Sequence, residues 1–452
     1  MAITDLRQFI QLLEQEDELL RIDDEVELKF DIAGYIRNTS DVEGPALLFE
    51  NVKGYSMPVV GGLYSSRRLM LKAMGTTEEK AVNHYLNAMQ NLSEPRLVAS
   101  GPCKEVIKLG EQASLAELPI PTHSQQDSGP FITAGVAISK DVEEGSKNAS
   151  IYRFELQGDR QLGVLSPIPH HLGLHYQKAE FLGRPLEVAI AIGVSPGVLI
   201  CTQWEAAYGV DELTLAGALQ GQPLEIVKCE TVDLEVPATA EIIIEGKMYP
   251  DKRQMEGPFG EYTGYYTAAY PKPYLEITAI THRQDAIFHT ALTGLPTTDN
   301  HVLKMIPMEA SCYAFLKQRF PGVKKVHFHG AGGVGLLGIV AMQQHTKYEA
   351  RNVLATMLSA QGTKVVIVVD EDVDVFDLDK VMWAVCTRSQ ADRDLIILPR
   401  TAAFQLDPSA PELGVLTTMG IDATRPYGEH FDEVALVPGA SKLPDILKLW
   451  KK

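Results

Sequence analysis

The sequence predicts a multidomain protein of mixed α+β and α/β class, with a strand-rich middle between two α/β flanks. Three observations carry that prediction. The chain has 452 residues, 45% of them hydrophobic, enough for a large core divided among several domains of ordinary size. Between about residues 116 and 305, short apolar runs recur at regular spacing, punctuated by Gly and Pro. Beyond that point helical and buried-strand patterns alternate, the texture of βαβ units.

Residues 1–115 form the first region. It opens with "MAITDLRQFIQLLEQEDELLRI", an amphipathic, acid-rich helix pattern with Asp5 at the N-cap position, and it lacks the uninterrupted apolar core of a signal peptide. "TTEEKAVNHYLNAMQNL" has helical period, and "PALLFENV" and "MPVVGGLY" are strand-like. In residues 116–305 the runs "FITAGVAIS", "SIYRFELQ", "LEVAIAIGV", "AEIIIEG" and "LEITAITHR" predict a sheet closed into a barrel. Residues 306–452 place the helices "EASCYAFLKQRF", "KYEARNVLATMLSA" and "LDKVMWAVCTRS" around the strands "GIVAM" and "KVVIVVD". The closing "KLPDILKLWKK" reads as an amphipathic helix. Its Leu443, Ile446, Leu447 and Trp450 would be awkward on a monomer surface, so a homodimer or a homohexamer of dimers is expected.

Charge narrows the function classes. Lys and Arg number 41 against 59 Asp and Glu, a formal charge of −18, which argues against a general nucleic-acid or anionic-membrane binder. No stretch has transmembrane length. The cysteines Cys103, Cys201, Cys229, Cys312 and Cys386 are scattered without CxxC spacing, which fits a reducing compartment, and a cytoplasmic location is expected.

The polar residues that composition leaves unexplained fall in four places. In "NASIYRFELQ", Asn148, Ser150 and Arg153 begin a strand, and Arg153, flanked by Tyr and Phe, is either a surface charge or a paired interior one. In "SPIPHHLGLHY", His170 and His171 supply a metal ligand or form a surface pair. In "GVDELTLAGALQG", Glu212 precedes an apolar helix and is either a ligand or a cap. In "MEGPFGEYTGYY", Glu256 and Glu261 stand on either side of a Pro-Phe-Gly stretch that cannot be helical, beside Phe259, Tyr262, Tyr265 and Tyr266. A carboxyl against low-dielectric aromatic surface holds its proton more tightly, while an arginine close by keeps a second carboxylate ionised. One such pair can deliver and retrieve a proton at carbon. Solvated acids on a Gly-Pro hairpin are the plain alternative.

"KNASIYRFELQ", "SPIPHHLGLHY", "VDELTLAGALQGQPLEIVKCETVDLEVPATAEIIIEG", "MEGPFGEYTGYY" and "GTKVVIVVDEDVDVFDLDKVMWAVCTR" occur in the order and spacing of the UbiD family of decarboxylases. The chain resembles that family over nearly its whole length. The resemblance implies a central split β-barrel, flavin-reductase-like, between α/β domains. It implies reversible decarboxylation of aromatic, heteroaromatic or α,β-unsaturated acids using prenylated FMN, with a divalent metal, usually manganese, and often potassium. A flavin prenyltransferase would supply the cofactor.

Residue by residue, Asn148, His171 and Glu212 resemble the ligands of a metal bridging protein and cofactor phosphate. Ser150, Ile151, Arg153, His170 and Lys364 match the remaining cofactor contacts. Arg153, Glu256 and Glu261 match the family's catalytic triad, with Glu261 as proton donor. Specificity is expected from the loop "HTALTGLPTTDNHVL" and its surroundings, where Asp299, His301 and Lys304, with His327 and His329 of "KVHFHG", make a polar pocket better suited to a polar acid than to a polyprenyl one. A family-shaped protein that binds flavin without turnover, and a metal-dependent hydrolase with an open water-activating site, are the alternatives.

Overall fold

Two long antiparallel strands, Ile242–Glu256 and Tyr270–His282, form the spine of the molecule, paired from Ile242 opposite His282 to Glu256 opposite Tyr270. The computed structural model describes residues 2–437 apart from 169, 361–362, 403–405 and 413. The terminal helix expected at 438–452 lies outside the described residues. Ile242, Ile243 and Ile244 are all buried, as a continuous apolar run requires of a strand covered on both faces. The same strand is exposed from Asp251 to Met255 and then returns to the interior at Glu256. An acid is thereby carried inward at the strand's end.

The middle sheet is antiparallel. Its order is Phe131–Ile132, Phe154–Gly158, Gln161–Val164, Tyr270–His282, Ile242–Glu256, Leu186–Ile192, Val136–Lys140 and Lys147–Ile151, with Val106–Leu109 added on Tyr270–His282. The expected closure into a barrel is not seen in the strand pairing. Among the described residues the hydrogen-bonded path is open, because the two-residue strand Phe131–Ile132 at one end and Lys147–Ile151 at the other do not pair with each other.

The first sheet orders Leu19–Ile22, Ala46–Phe49, Val59–Gly61 and Phe288–His289. Its last strand comes from the far end of the middle region, while Val106–Leu109 from the first region joins the middle sheet. The first two regions are thus interleaved rather than strung as beads. The helix Leu6–Gln15 starts where expected, since Asp5 accepts a hydrogen bond from the Gln8 amide at 2.8 Å. The third sheet orders Val323–Phe328, Leu337–Met342, Val365–Asp370, Val415–Ala423 and Leu395–Ala402, with a parallel centre. Helices Glu349–Ala360 and Leu378–Arg388 pack with this sheet. The helix Asp299–Arg319 links the middle region to this unit and spans the boundary expected at 305. No helix among the described residues is long and apolar enough to cross a membrane.

Candidate active site

The turn after Glu256 is built by residues chosen for backbone freedom. Gly257 has φ of 87°, a conformation that a side chain would strain. Phe259–Gly260 then pairs with Tyr266–Thr267 in a small hairpin, and the Glu261 amide donates to Tyr265 O at 2.9 Å. The hairpin brings both carboxylates to one arginine. Arg153 does not lie on a strand as expected. It sits in the break between Lys147–Ile151 and Phe154–Gly158, where the ladder lapses and its side chain turns inward.

Arg153 Nε and Nη2 donate to the two oxygens of Glu256, each at 2.8 Å, a bidentate fork. Its Nη1 donates to Glu261 Oε1 and, at 3.0 Å, to Thr267 Oγ1. The guanidinium lies 4.9 Å over the Phe259 ring, and Phe259 packs on Phe131 with centroids 4.5 Å apart. Burial opposes the arginine's charge, but the two carboxylates outweigh it and hold the guanidinium firmly protonated. The Glu256 side chain is 1% exposed and that of Glu261 12%, so Glu261 is the acid an incoming molecule can meet. Only half of the expected aromatic frame is present: Phe259 and Tyr262 are buried, whereas Tyr265 and Tyr266 face solvent.

Two further carboxylates, not singled out from the sequence, fix this turn. Glu155 accepts from the Gly257 amide at 3.1 Å. Asp127 accepts from the Gly260 amide at 2.9 Å and from the Ser124 amide at 2.7 Å. Nothing in "HSQQDSGP" marks Asp127 beyond loop composition, because its partner lies 133 residues away. Glu155 follows Arg153 by two positions, and that spacing was the available signal.

A second polar group forms around Glu212. Its carboxylate does not cap the helix Leu213–Gln220 that follows it; Oε2 instead accepts from the Ala149 amide at 2.8 Å, and Oε1 lies 3.4 Å from His171 Nδ1. Burial pushes the Glu212 carboxyl up to about 7, and it holds the His171 imidazole below its ordinary value. Asn148, next to Ala149, is buried with its Nδ2 unpartnered. Amide, imidazole and carboxylate make a donor set that suits a hard divalent cation. A divalent cation would satisfy the desolvated carboxyl, and the Asn148 amide would join it through its oxygen once the side chain is turned. His170 caps the helix His171–Phe181 from the N-terminal side, with its ring pushed toward neutrality by burial and by Lys304. Ser150 Oγ donates to Thr202 O at 3.4 Å, and Ile151 packs against the main core.

Other expected residues are engaged elsewhere. Lys364 Nζ is held by Asp407 and Ser409, both at 2.6 Å. Asp299 accepts from the amides of Tyr64 at 2.9 Å and Leu292 at 3.1 Å, which leaves it no free oxygen to offer a substrate. His301 uses Nδ1 on Thr298 and Nε2 on Tyr262 O at 2.6 Å. His327 Nδ1 meets Glu309 at 2.6 Å, and Glu309 in turn takes Arg67, so this histidine belongs to a buried ionic cluster between the helix Arg67–Ala73 and the third sheet. These four contacts are internal to the protein.

Models of the 3-octaprenyl-4-hydroxybenzoate carboxy-lyase match in chain order: the N-terminal domain at residues 10–89, the Rift-related domain at 96–296 and the C-terminal domain at 301–423. The chain belongs to the UbiD family. The anhydromevalonate phosphate decarboxylase of Methanothermobacter thermautotrophicus is 34% identical, over 93% of this chain and 97% of that one. The UbiD-class enzyme HmfF of Pelotomaculum thermopropionicum, solved with FMN, superposes with a TM-score of 0.92 at 42% identity, covering 97% and 99% of the two chains. An evolved dimeric form of HmfF has been solved with prFMN, with a TM-score of 0.89 at 40% identity over 98% and 100%. Vanillic acid decarboxylase of Sedimentibacter hydroxybenzoicus, in open form, gives 0.87 at 31% identity, covering 100% of each. The protein is accordingly a UbiD-class decarboxylase, a carboxy-lyase, and the Arg153 cluster lies in its Rift-related domain.

Proposed function

We propose that this UbiD-class enzyme carries out reversible, non-oxidative decarboxylation of an aromatic, heteroaromatic or α,β-unsaturated acid at a bound prenylated FMN, with Glu261 as the proton donor. One observation carries the assignment: Arg153 holds both oxygens of Glu256 in a fork but gives Glu261 only a single nitrogen, on the more open side. The flavin reading rests on the FMN and prFMN complexes of HmfF together with the overall superposition. When bound, the prenylated flavin supplies the electron sink for the carbon left by CO2.

The chain's own residues handle the proton and the positioning. Glu256, held on both oxygens by the fork, keeps Arg153 turned toward the hairpin. Glu261 gives its proton to the substrate carbon and recovers one from water, and the reverse sequence removes that hydrogen when product rebinds. Glu155 and Asp127, by tying down the amides of Gly257 and Gly260, keep the donor at a constant distance from the reacting carbon. Asn148, His171 and Glu212 would hold a divalent cation, manganese by preference, against the cofactor phosphate, with potassium as a further ion. Ser150, Ile151 and His170 line the same end of the site, and Lys364 would exchange Asp407 for the phosphate.

In this reading the open antiparallel sheet is a split barrel, the cofactor comes from a flavin prenyltransferase, and the protein works in the cytoplasm as a homodimer or homohexamer. The test is solvent deuterium exchange into product acceptors by the flavin-loaded enzyme. Exchange that needs flavin and is lost in Glu261→Gln supports the assignment, and flavin-independent exchange overturns it.

A further inference from the structure

Asn148, His171 and Glu212 come from three separate elements, so no single stretch of backbone sets the distances among them. Asn148 lies on the strand Lys147–Ile151, His171 opens the helix His171–Phe181, and Glu212 ends the loop before the helix Leu213–Gln220. Donors to a cation have to be held within about 0.5 Å of their working positions. The three elements must therefore be tied to one another.

Tyr208 reaches all three. It stands four residues before Glu212, in the same loop. Its ring meets the imidazoles of His171 and His175 edge on, with centroids 5.4 and 5.8 Å apart and interplanar angles of 86° and 80°. Lys178, farther along that helix, places its Nζ 5.1 Å from the ring centroid and 3.3 Å from the phenolic oxygen. Residues 171, 175 and 178 have the spacing of one helix face, so that face rests on this ring.

The phenolic tip joins the remaining element. Tyr208 Oη donates to Asp141 Oδ2, and Asp141 directly follows the strand Val136–Lys140, which pairs with the strand of Asn148, Ser139 opposite Asn148. Asp141 is itself fixed. Its buried carboxylate accepts from the amides of Glu143 at 2.8 Å and Glu144 at 3.0 Å, and from Lys178 Nζ at 2.7 Å. A second link runs beside it, with Ser139 Oγ and His175 Nδ1 2.9 Å apart.

We propose that Tyr208 is a positioning residue for the cation site, joining the hairpin of Asn148, the helix of His171 and the loop of Glu212 so that their donors converge before a metal arrives. The rigid ring sets the spacing between helix and loop, and the hydroxyl sets the spacing to the hairpin. Donors ordered in advance lose less freedom on binding, so the gain appears as metal affinity. The proposal rests on the ligand reading above and adds to it a residue outside the donor set.

The experiment is calorimetric titration of Mn2+ into the full-length, flavin-loaded protein after treatment with a chelator, with melting temperatures taken in the chelator. Tyr208→Phe keeps the ring against the histidines but loses Asp141, and Mn2+ binding is expected to weaken about 10-fold, the lower end of the loss when support around a metal ligand is removed. Tyr208→Leu loses the ring as well, and the expected loss grows to about 10²-fold. The melting temperature of Tyr208→Phe in chelator is expected to stay close to that of the natural protein. A merely structural tyrosine would do the reverse, lowering the melting temperature and leaving the Mn2+ affinity of the folded protein unchanged, and that result overturns the proposal. Glu212→Gln separates this failure from that of the ligand reading. If it weakens Mn2+ binding while both Tyr208 variants bind normally, the ligands stand and Tyr208 falls; if it too binds normally, the ligand reading falls and takes the role of Tyr208 with it.

Discussion

Arg153 meets Glu256 edge to edge, two parallel N–H donors against two oxygens at 2.8 Å, with the carboxylate 1% exposed. That geometry needs a planar fork, which lysine cannot supply. Arg153→Lys keeps the charge but loses one of the two bonds to Glu256 and the reach to Thr267. Turnover is expected to fall about 10²-fold or more, as for a misplaced proton donor, with flavin retention lowered as well. Steady-state kinetics and the flavin spectrum check this. Near-normal turnover would mean that only the charge matters.

The cation site predicts a pH effect whose sign can be worked out. Burial raises the Glu212 carboxyl from 4.5 to about 7, so between those values the folded metal-free protein binds more protons than the unfolded chain. Stability then declines as pH rises through that window, and above about 7 the buried charge is fully exposed to its desolvation cost. A divalent cation competes with that proton. Added Mn2+ should therefore raise the melting temperature more at pH 8 than at pH 5.5, and Glu212→Gln should abolish the difference while lowering flavin content. Equal shifts at both pH values, or unchanged flavin in the variant, count against the ligand assignment.

The ionic cluster at Glu309 is a matter of stability. Glu309 is fully buried and accepts from Arg67 Nη1 at 2.9 Å, from Arg67 Nη2 at 2.8 Å and from His327. Glu309→Gln leaves the Arg67 guanidinium with Glu78 as its one remaining carboxylate, and removing a partner from a buried cluster in this way costs up to roughly 3 kcal/mol. Lys53→Ala, which removes a pair exposed by 55% on each side and screened by water, should lower the melting temperature far less. Thermal unfolding of the two variants compares them, and similar losses would show that the buried cluster adds nothing special.

What the sequence made legible was what it encodes locally. Asp5 and Gln8 are three residues apart, so the cap could be read directly, and the run Ile242–Ile244 announced a covered strand. Glu256 and Glu261 stood out because one turn holds both. Their arginine lies 103 and 108 residues upstream, and only the order of several motifs joined the three. The clamps of Asp127 and Glu155 onto backbone amides have no pattern in the chain. Asp299 and His301 were ambiguous for a related reason: polarity near a glycine-rich loop says that a side chain needs hydrogen bonds, not whether the protein or a ligand provides them. Barrel closure could not be read, because strand spacing does not reveal whether the end strands meet.

The proton donor itself gives the most direct test. Glu261 has one nitrogen of Arg153 as partner and the more open side chain of the two acids, whereas Glu256 is locked on both oxygens. Glu261→Gln preserves size and can still accept a hydrogen bond from Arg153, but it has no acid proton to give. Turnover and solvent deuterium exchange should fall together by roughly 10²–10⁴-fold, the usual loss on removing a general acid, while flavin remains bound. Glu256→Gln should act differently, since it weakens the fork and lets Arg153 wander, so that losses in activity come with altered flavin retention. If Glu256→Gln alone abolishes exchange while Glu261→Gln keeps it, the two carboxylates have exchanged roles; if neither variant changes the exchange rate, the hairpin is a structural turn and another group must protonate the carbon.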